Sequence, residues 1–202
     1  TGSGKTEIYM NLVSNMMDSG KDSIILIPEI SLTPQMVERF KGRFGKDVAI
    51  FHSKLSDGEK FDEWMRVKSG KVKVAIGARS AIFLPFKNLG LIVIDEEHEG
   101  SYKSDSDPKY IAKEIGELKC TIENCKLVLG SATPSIESYY KAQEGIYELI
   151  TIDERADNAK LPKIYLSDMR EELINNNKTI FSEVLYENIG KALENKDQIL
   201  LF

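Results

Sequence analysis

The chain has 202 residues, 42% of them hydrophobic, enough for one large domain or for one domain and part of another. A formal net charge of −5 excludes a global positive field for nucleic acid, so any such contact has to come from a local patch. Two cysteines, Cys120 and Cys125, are too few for a disulfide framework and have no second pair or histidine cluster for zinc, so both read as ordinary buried or half-buried residues.

The first seven residues read TGSGKTE. A full phosphate-binding loop is GxxxxGK[ST], and its leading glycine would lie two residues before Thr1, so the motif is expected to be truncated at its front. Behind GKT, the spacing Ile8, Leu12 and Met16 predicts a helix with one buried stripe, ended by Gly20 in a left-handed cap. Apolar, β-rich runs predict strands at 23–27, 48–51, 72–76, 91–94 and 126–129. Their near-continuous apolar character suits strands covered by helices on both faces of a parallel sheet. None is long enough to span a bilayer and no leader precedes them, which gives the expectation of a soluble intracellular protein.

Between the strands the helix starts are readable. Thr33 and Pro34 form an N-cap and first helical residue, with Met36, Phe40 and Phe44 following at four-residue intervals. Ser56 and Glu59 fit a capping box ahead of Phe61, Trp64 and Met65. Asp107 and Pro108 start a further helix with Ile111, Ile115 and Leu118 on its inner face. These stripes, Trp64 included, are read as core. Strand alternating with helix predicts a three-layer α/β domain over residues 1–152, with ligands gathered at the carboxyl ends of the strands. Beyond Ile152 the pattern changes. Residues 154–163 read as a connection, followed by a strand at 163–166, a charged loop DMREELINNNK, a helix with Leu185, Ile189 and Leu193 on one face, and a strand beginning in QILLF.

Three loops carry chemistry. In GSGKT, Gly2, Ser3 and Gly4 would fold backbone N–H groups around phosphate oxygens at a helix N-terminus, Lys5 would reach the β- and γ-phosphates, and Thr6 would offer its hydroxyl to Mg²⁺. In LIVIDEEH, Asp95 leaves an apolar strand as a metal-holding carboxylate and Glu96 as the base for an attacking water, while Glu97 and Glu99 read as surface residues. In GSATPS, Ser131 and Thr133 could bridge the acidic loop to a nucleic-acid or second-domain side, and Thr133 with Pro134 also reads as the start of the next helix.

Phosphate loop, DE-x-H and SAT, in this order, form the core signature of superfamily 2 helicases. Within it the chain resembles the primosomal protein N′ (PriA) family of bacterial replication-restart helicases, through TGSGKTE, IPEISLTPQ, FHSKLS, GARSAIFLPFKNLGLIVIDEEHEGSYK and GSATPSIES. The resemblance implies a RecA-like P-loop NTPase domain at 1–152, and a linker with the start of a second RecA-like motor domain at 153–202. It implies ATP and Mg²⁺ as cofactors, with Glu7 and His98 added to the nucleotide-site residues and His98 linking nucleotide state to DNA binding. It implies that Thr33, Gln35, Arg79 and Ser80 face single-stranded DNA, with a structural ion pair as the lesser alternative for Arg79. His52 stays open between a functional residue and a strand end. Lys109 and Lys113 stand where relatives often carry other basic groups. The implied activity is ATP-driven 3′ to 5′ unwinding of forked DNA in primosome assembly, in the bacterial cytoplasm and with no membrane. Other primosome proteins and single-stranded DNA-binding protein are the implied partners, together with a zinc cluster that lies outside this chain. A small-molecule kinase and a non-catalytic nucleotide-binding module are the competing readings.

Overall fold

A computed structural model describes residues 4–152 and 163–201. Gly2, Ser3 and residues 154–162 of the connection expected at 154–163 therefore lie outside the described residues. The chain divides into two compact units, Thr1–Asn158 and Ala159–Phe202.

The first unit is a five-stranded parallel sheet in the order β2-β3-β1-β4-β5. Its strands are β1 (Asp22–Leu26), β2 (Val48–Phe51), β3 (Val74–Gly77), β4 (Leu89–Asp95) and β5 (Lys126–Gly130). The five strands expected at 23–27, 48–51, 72–76, 91–94 and 126–129 are present, within about two residues at either end. The helices are α1 (Lys5–Asp18), α2 (Pro34–Phe44), α3 (Asp57–Lys68), α4 (Ala112–Glu123) and α5 (Ile136–Gln143).

Alternate side chains of each strand point to opposite faces, and two separate cores follow from that period. Ile25 and Ile27 with Leu91 and Val93 pack against Tyr9, Met10 and Val13 of α1 and Phe40 and Phe44 of α2. Ile24 and Leu26 with Ile92 and Ile94 pack against Val67 of α3 and Ala112 and Cys120 of α4. Helices thus cover both faces, giving the three layers expected.

The capping signals act as read. Thr33 Oγ1 accepts the Met36 amide at 3.3 Å ahead of Pro34, and Ser56 with Glu59 closes a capping box. Gly20 follows α1 with φ at 72°. The face of α2 is as expected, with Phe40 and Phe44 buried, and the other faces differ in part. On α1 the buried side chains are Tyr9, Met10 and Val13, with Leu12 and Met16 of the expected stripe half-buried against the same core and only Ile8 turned out at 42% exposed. On α3, Val67 is buried and Trp64 half-buried, while Phe61 and Met65 face outward. The helix expected from Asp107 begins at Ala112, behind Ile111, and buries Ala112, Gly116 and Cys120 while Leu118 is exposed. Cys125 is half-buried, in line with the reading of both cysteines.

The second unit, by itself, contains α6 (Met169–Ile174) and α7 (Glu183–Glu194). The DMREEL segment is helical, capped by Asp168 onto the Arg170 amide at 2.9 Å, and not a loop. Glu172 accepts from Asn177 Nδ2 at 2.6 Å and from the Glu183 amide at 3.0 Å, tying the two helices through the turn between them. The strands expected at 163–166 and in QILLF are absent among the described residues, and Ile164, Tyr165, Leu166 and Leu200 are exposed. An apolar run becomes a strand only where another strand takes up its backbone groups, and none is described in this unit. No described helix is long and apolar enough to cross a membrane.

Candidate active site

The site forms where the start of α1 meets the carboxyl ends of β4 and β5. Gly4 caps α1 with φ 77° and ψ 13°, a left-handed conformation that glycine adopts without a Cβ clash. Its carbonyl accepts the Glu7 amide at 2.9 Å, so the following residues enter the helix directly. Lys5 and half-buried Thr6 occupy the first turn, where the helix dipole and the leading N–H groups favour negative charge.

Lys5 Nζ donates to Glu96 Oε1 at 2.8 Å, a contact between residues 91 apart in sequence, with the side chains 14% and 23% exposed. Asp95 is the last residue of β4. Tyr9, one turn after Lys5 on α1, donates its hydroxyl to Asp95 Oδ1 at 2.9 Å, and Tyr102 donates to the Asp95 carbonyl oxygen at 2.6 Å. Burial raises the Asp95 carboxyl above the usual carboxylate range, opposed by the Tyr9 hydrogen bond and the Lys5 charge. Burial and the Asp95 charge push the Tyr9 and Tyr102 hydroxyls well up, so both stay protonated donors. Gly130, at the head of GSATPS, makes this packing possible. A Cβ there would lie 1.7 Å from the Tyr9 hydroxyl oxygen.

Glu96 has φ at 45°, a left-handed backbone that costs a non-glycine residue on the order of 1–3 kcal/mol and persists only where its neighbours over-determine it. The Glu99 amide donates to the Glu96 carbonyl at 2.9 Å, and the Glu97 amide donates to the Gly130 carbonyl at 3.0 Å. His98 Nδ1 lies 2.6 Å from Ser131 Oγ and 3.8 Å from Glu96 Oε2, and its Nε2 lies 3.5 Å from Thr133 Oγ1. Ser131 Oγ in turn accepts the Thr133 amide at 3.0 Å. Lys5, Asp95, Glu96, His98, Ser131 and Thr133 are therefore one constellation.

Glu97 is a correction to the sequence reading. Its side chain is 1% exposed, and it accepts from the Ser135 amide at 2.6 Å, Ser135 Oγ at 3.0 Å, Ser138 Oγ at 2.8 Å and Lys113 Nζ at 3.0 Å. Burial alone would raise its carboxyl, but these donors hold it below the usual range. Lys113 points into this cage. Glu99 is half-buried and not a plain surface residue.

The remaining candidates are spread around the site. Glu7 is exposed and pairs with Arg43 and, at 3.5 Å, with Arg39 of α2. Thr33, Gln35 and Ser80 are exposed. Arg79 donates to the carbonyl of Ser101 at 3.2 Å and to that of Lys103, and its guanidinium lies 5.5 Å from the Tyr110 ring centre. Its partners are carbonyl dipoles and an aromatic face, where the sequence offered phosphate or an ion pair. His52 directly follows β2. Sequence reasoning missed Tyr9, Tyr102 and the cage of Lys113, Ser135 and Ser138. Only Tyr9 carried a signal, because a residue four after Lys5 shares its helical face.

A helix N-terminus with an amine and a hydroxyl, facing two carboxylates at a strand end, has the donor set for a nucleotide phosphate with a hard divalent cation. The sequence profile of the DEAD/DEAH box helicase family matches residues 1–142. The chain belongs to that family. All of the chain aligns with the replication restart protein PriA of Bacillus subtilis strain 168 at 52% identity over 202 residues, covering 25% of that protein. The PriA of Synechocystis sp. is 42% identical over 207 residues with 25% covered, and that of Rickettsia felis 46% identical over 202 residues with 31% covered. The resemblance read from the motifs thus extends over the whole chain, which spans roughly a quarter to a third of the length of these curated relatives. Among solved structures, RecG bound to a three-way DNA junction aligns over 79% of the chain and 20% of its own, with TM-score 0.55 and 25% identity. The Pyrococcus furiosus Hef helicase domain aligns over 72% of the chain and 31% of its own, with TM-score 0.52 and 22% identity, a likeness of fold. The first unit is a RecA-like helicase fold.

Proposed function

We propose that the chain is the nucleotide-binding motor half of a longer, ATP-dependent DNA helicase that works in replication restart, moving 3′ to 5′ on forked DNA in the bacterial cytoplasm. Residues 1–152 form the first motor domain, and 153–202 the linker and the start of a second. The observation that carries this reading is the Lys5–Glu96 contact at 2.8 Å, beside an Asp95 held by Tyr9, which unites the phosphate loop and the acidic strand end.

In this reading Gly2, Ser3 and Gly4 would wrap the phosphates, Lys5 would pair with the β- and γ-phosphate oxygens, and Thr6 and Asp95 would hold Mg²⁺. Bound there, Mg²⁺ supplies charge neutralisation for the transferred phosphoryl group. Tyr9 keeps the Asp95 carboxylate aimed into the site, and Glu96 accepts the proton of the attacking water. His98 passes the state of the site to Ser131 and Thr133. Thr33, Gln35, Arg79 and Ser80 contribute to a single-stranded DNA track that fixes the strand without reading its sequence. Other primosome proteins and single-stranded DNA-binding protein bind through regions beyond this chain, as does zinc.

An arginine finger from the second motor is worth roughly 10³ to 10⁵ in rate, so the isolated chain is predicted to bind ATP with little turnover. The deciding experiment measures DNA-stimulated ATP hydrolysis and fork unwinding by the full-length helicase beside its Lys5→Ala variant. Both activities are expected in the parent and neither in K5A. Phosphoryl transfer to a nucleoside or sugar would favour a kinase instead.

A further inference from the structure

Glu97 is the one residue of the acidic turn that the mechanism above leaves unused. We propose that Glu97 is a positioning residue that fixes the Glu96 carboxylate and the SATPS loop in one arrangement, through a cage made by Lys113, Ser135 and Ser138. The inference rests on the proposed role of Glu96 and gives Glu97 a separate one.

The cage reaches two helices, α4 and α5, from one side chain. Glu97 Oε1 accepts the Ser135 amide at the cap of α5, and Oε2 accepts Lys113 Nζ from α4 and the hydroxyls of Ser135 and Ser138. The Glu97 amide meanwhile holds the Gly130 carbonyl at the end of β5. The loop 131–135 is therefore clamped to the acidic turn at both ends, with His98 on Ser131 and Thr133 between them. Glu96 stands between Asp95, fixed by β4, and Glu97, fixed by the cage, and this bracket holds its φ at 45°. Stability alone does not call for such a group, since buried ion pairs are often no better than well-packed apolar residues of the same volume. What the charged cage delivers is a single placement of both ends of the turn.

The test compares the parent full-length helicase with its Glu96→Gln, Glu97→Gln and Ser138→Ala variants, reading kcat for DNA-stimulated ATP hydrolysis and Kd for ATP. E97Q keeps side-chain volume and one oxygen for the Ser135 amide but leaves Lys113 without its countercharge. Its kcat is expected to fall about 10- to 100-fold while Kd stays within about threefold, the signature of a misplaced catalytic group with binding intact. S138A, which removes one donor, covers the case in which E97Q does not fold, and is expected to lose about three- to tenfold in kcat at unchanged Kd. If E96Q is inactive while E97Q and S138A stay within twofold of the parent, or lose activity only in step with ATP affinity, the positioning role is overturned and the proposed function stands. A parent without turnover, or a fully active E96Q, overturns both.

Discussion

Two neighbouring carboxylates, Glu96 and Glu97, share one turn and have opposite surroundings. Glu96 faces the phosphate loop, is 23% exposed at its side chain, sits on a left-handed backbone and meets the Lys5 amine. Glu97 turns to the other side, is 1% exposed, and is enclosed by an ammonium, two hydroxyls and an amide. The difference teaches that a run of acids after a strand is not one acidic patch. With the left-handed residue at Glu96, one side chain meets Lys5 and the next enters the cage of Lys113, Ser135 and Ser138.

The largest expected effect that separates them is on stability. Glu97→Ala leaves the largely buried Lys113 ammonium with only the Ser135 and Ser138 hydroxyls and no countercharge, and should cost about 3–5 kcal/mol, whereas Glu96→Ala should cost far less because its carboxylate reaches solvent. Denaturant midpoints of the two variants measure this, and equal losses would erase the contrast. A smaller effect is expected at the support of Asp95. Tyr9→Phe removes the hydroxyl that lies 2.9 Å from Asp95 Oδ1 and should cost about 0.5–1.5 kcal/mol in stability, with ATP turnover reduced several-fold, as read by parallel melting and ATPase assays.

The smallest effect is expected far from the turn, where Glu117 accepts from Lys141 Nζ at 2.8 and 3.0 Å and from the Tyr147 hydroxyl. Burial pushes the Glu117 carboxyl up, but these donors outweigh it and leave the folded-state value lowered. The stabilisation is therefore present above the ordinary carboxylate range and is lost as pH falls through the lowered value. Glu117→Gln should be less stable than the parent by about 0.2–1 kcal/mol at neutral pH, with the gap closing in acid, as followed by melting temperature against pH.

How much of this was legible follows from range. The five strands were readable because continuous apolar runs such as 24–27 and 91–94 admit few other fates, and Thr33 and Ser56 announced their helices through local capping bonds. Helix faces were less so. Leu12 and Met16 of the expected stripe do pack on the core, but the deepest positions go to Tyr9, Met10 and Val13, about a third of a turn away, and only the sheet chooses that centre. Lys5, Asp95 and Glu96 were named from local motifs, and the structure brings the three into one place. The burial of Glu97 could not, since its partners lie 16, 38 and 41 residues away and none is unusual by itself. Arg79 reads in sequence as a partner for phosphate or a carboxylate, and the carbonyls that hold it belong to a loop over 20 residues later. The apolar runs of the second unit failed as strands for the converse reason, because composition alone does not supply a pairing neighbour.

The central claim is that Glu96 performs chemistry that its neighbour only supports. Single-turnover ATP hydrolysis by the Glu96→Gln variant of the full-length helicase, with DNA saturating and ATP affinity measured in parallel, tests it most directly. The hydrolysis rate should fall by about 10² to 10⁴ with ATP affinity nearly unchanged. A variant that hydrolyses ATP at close to the parental rate would contradict the account.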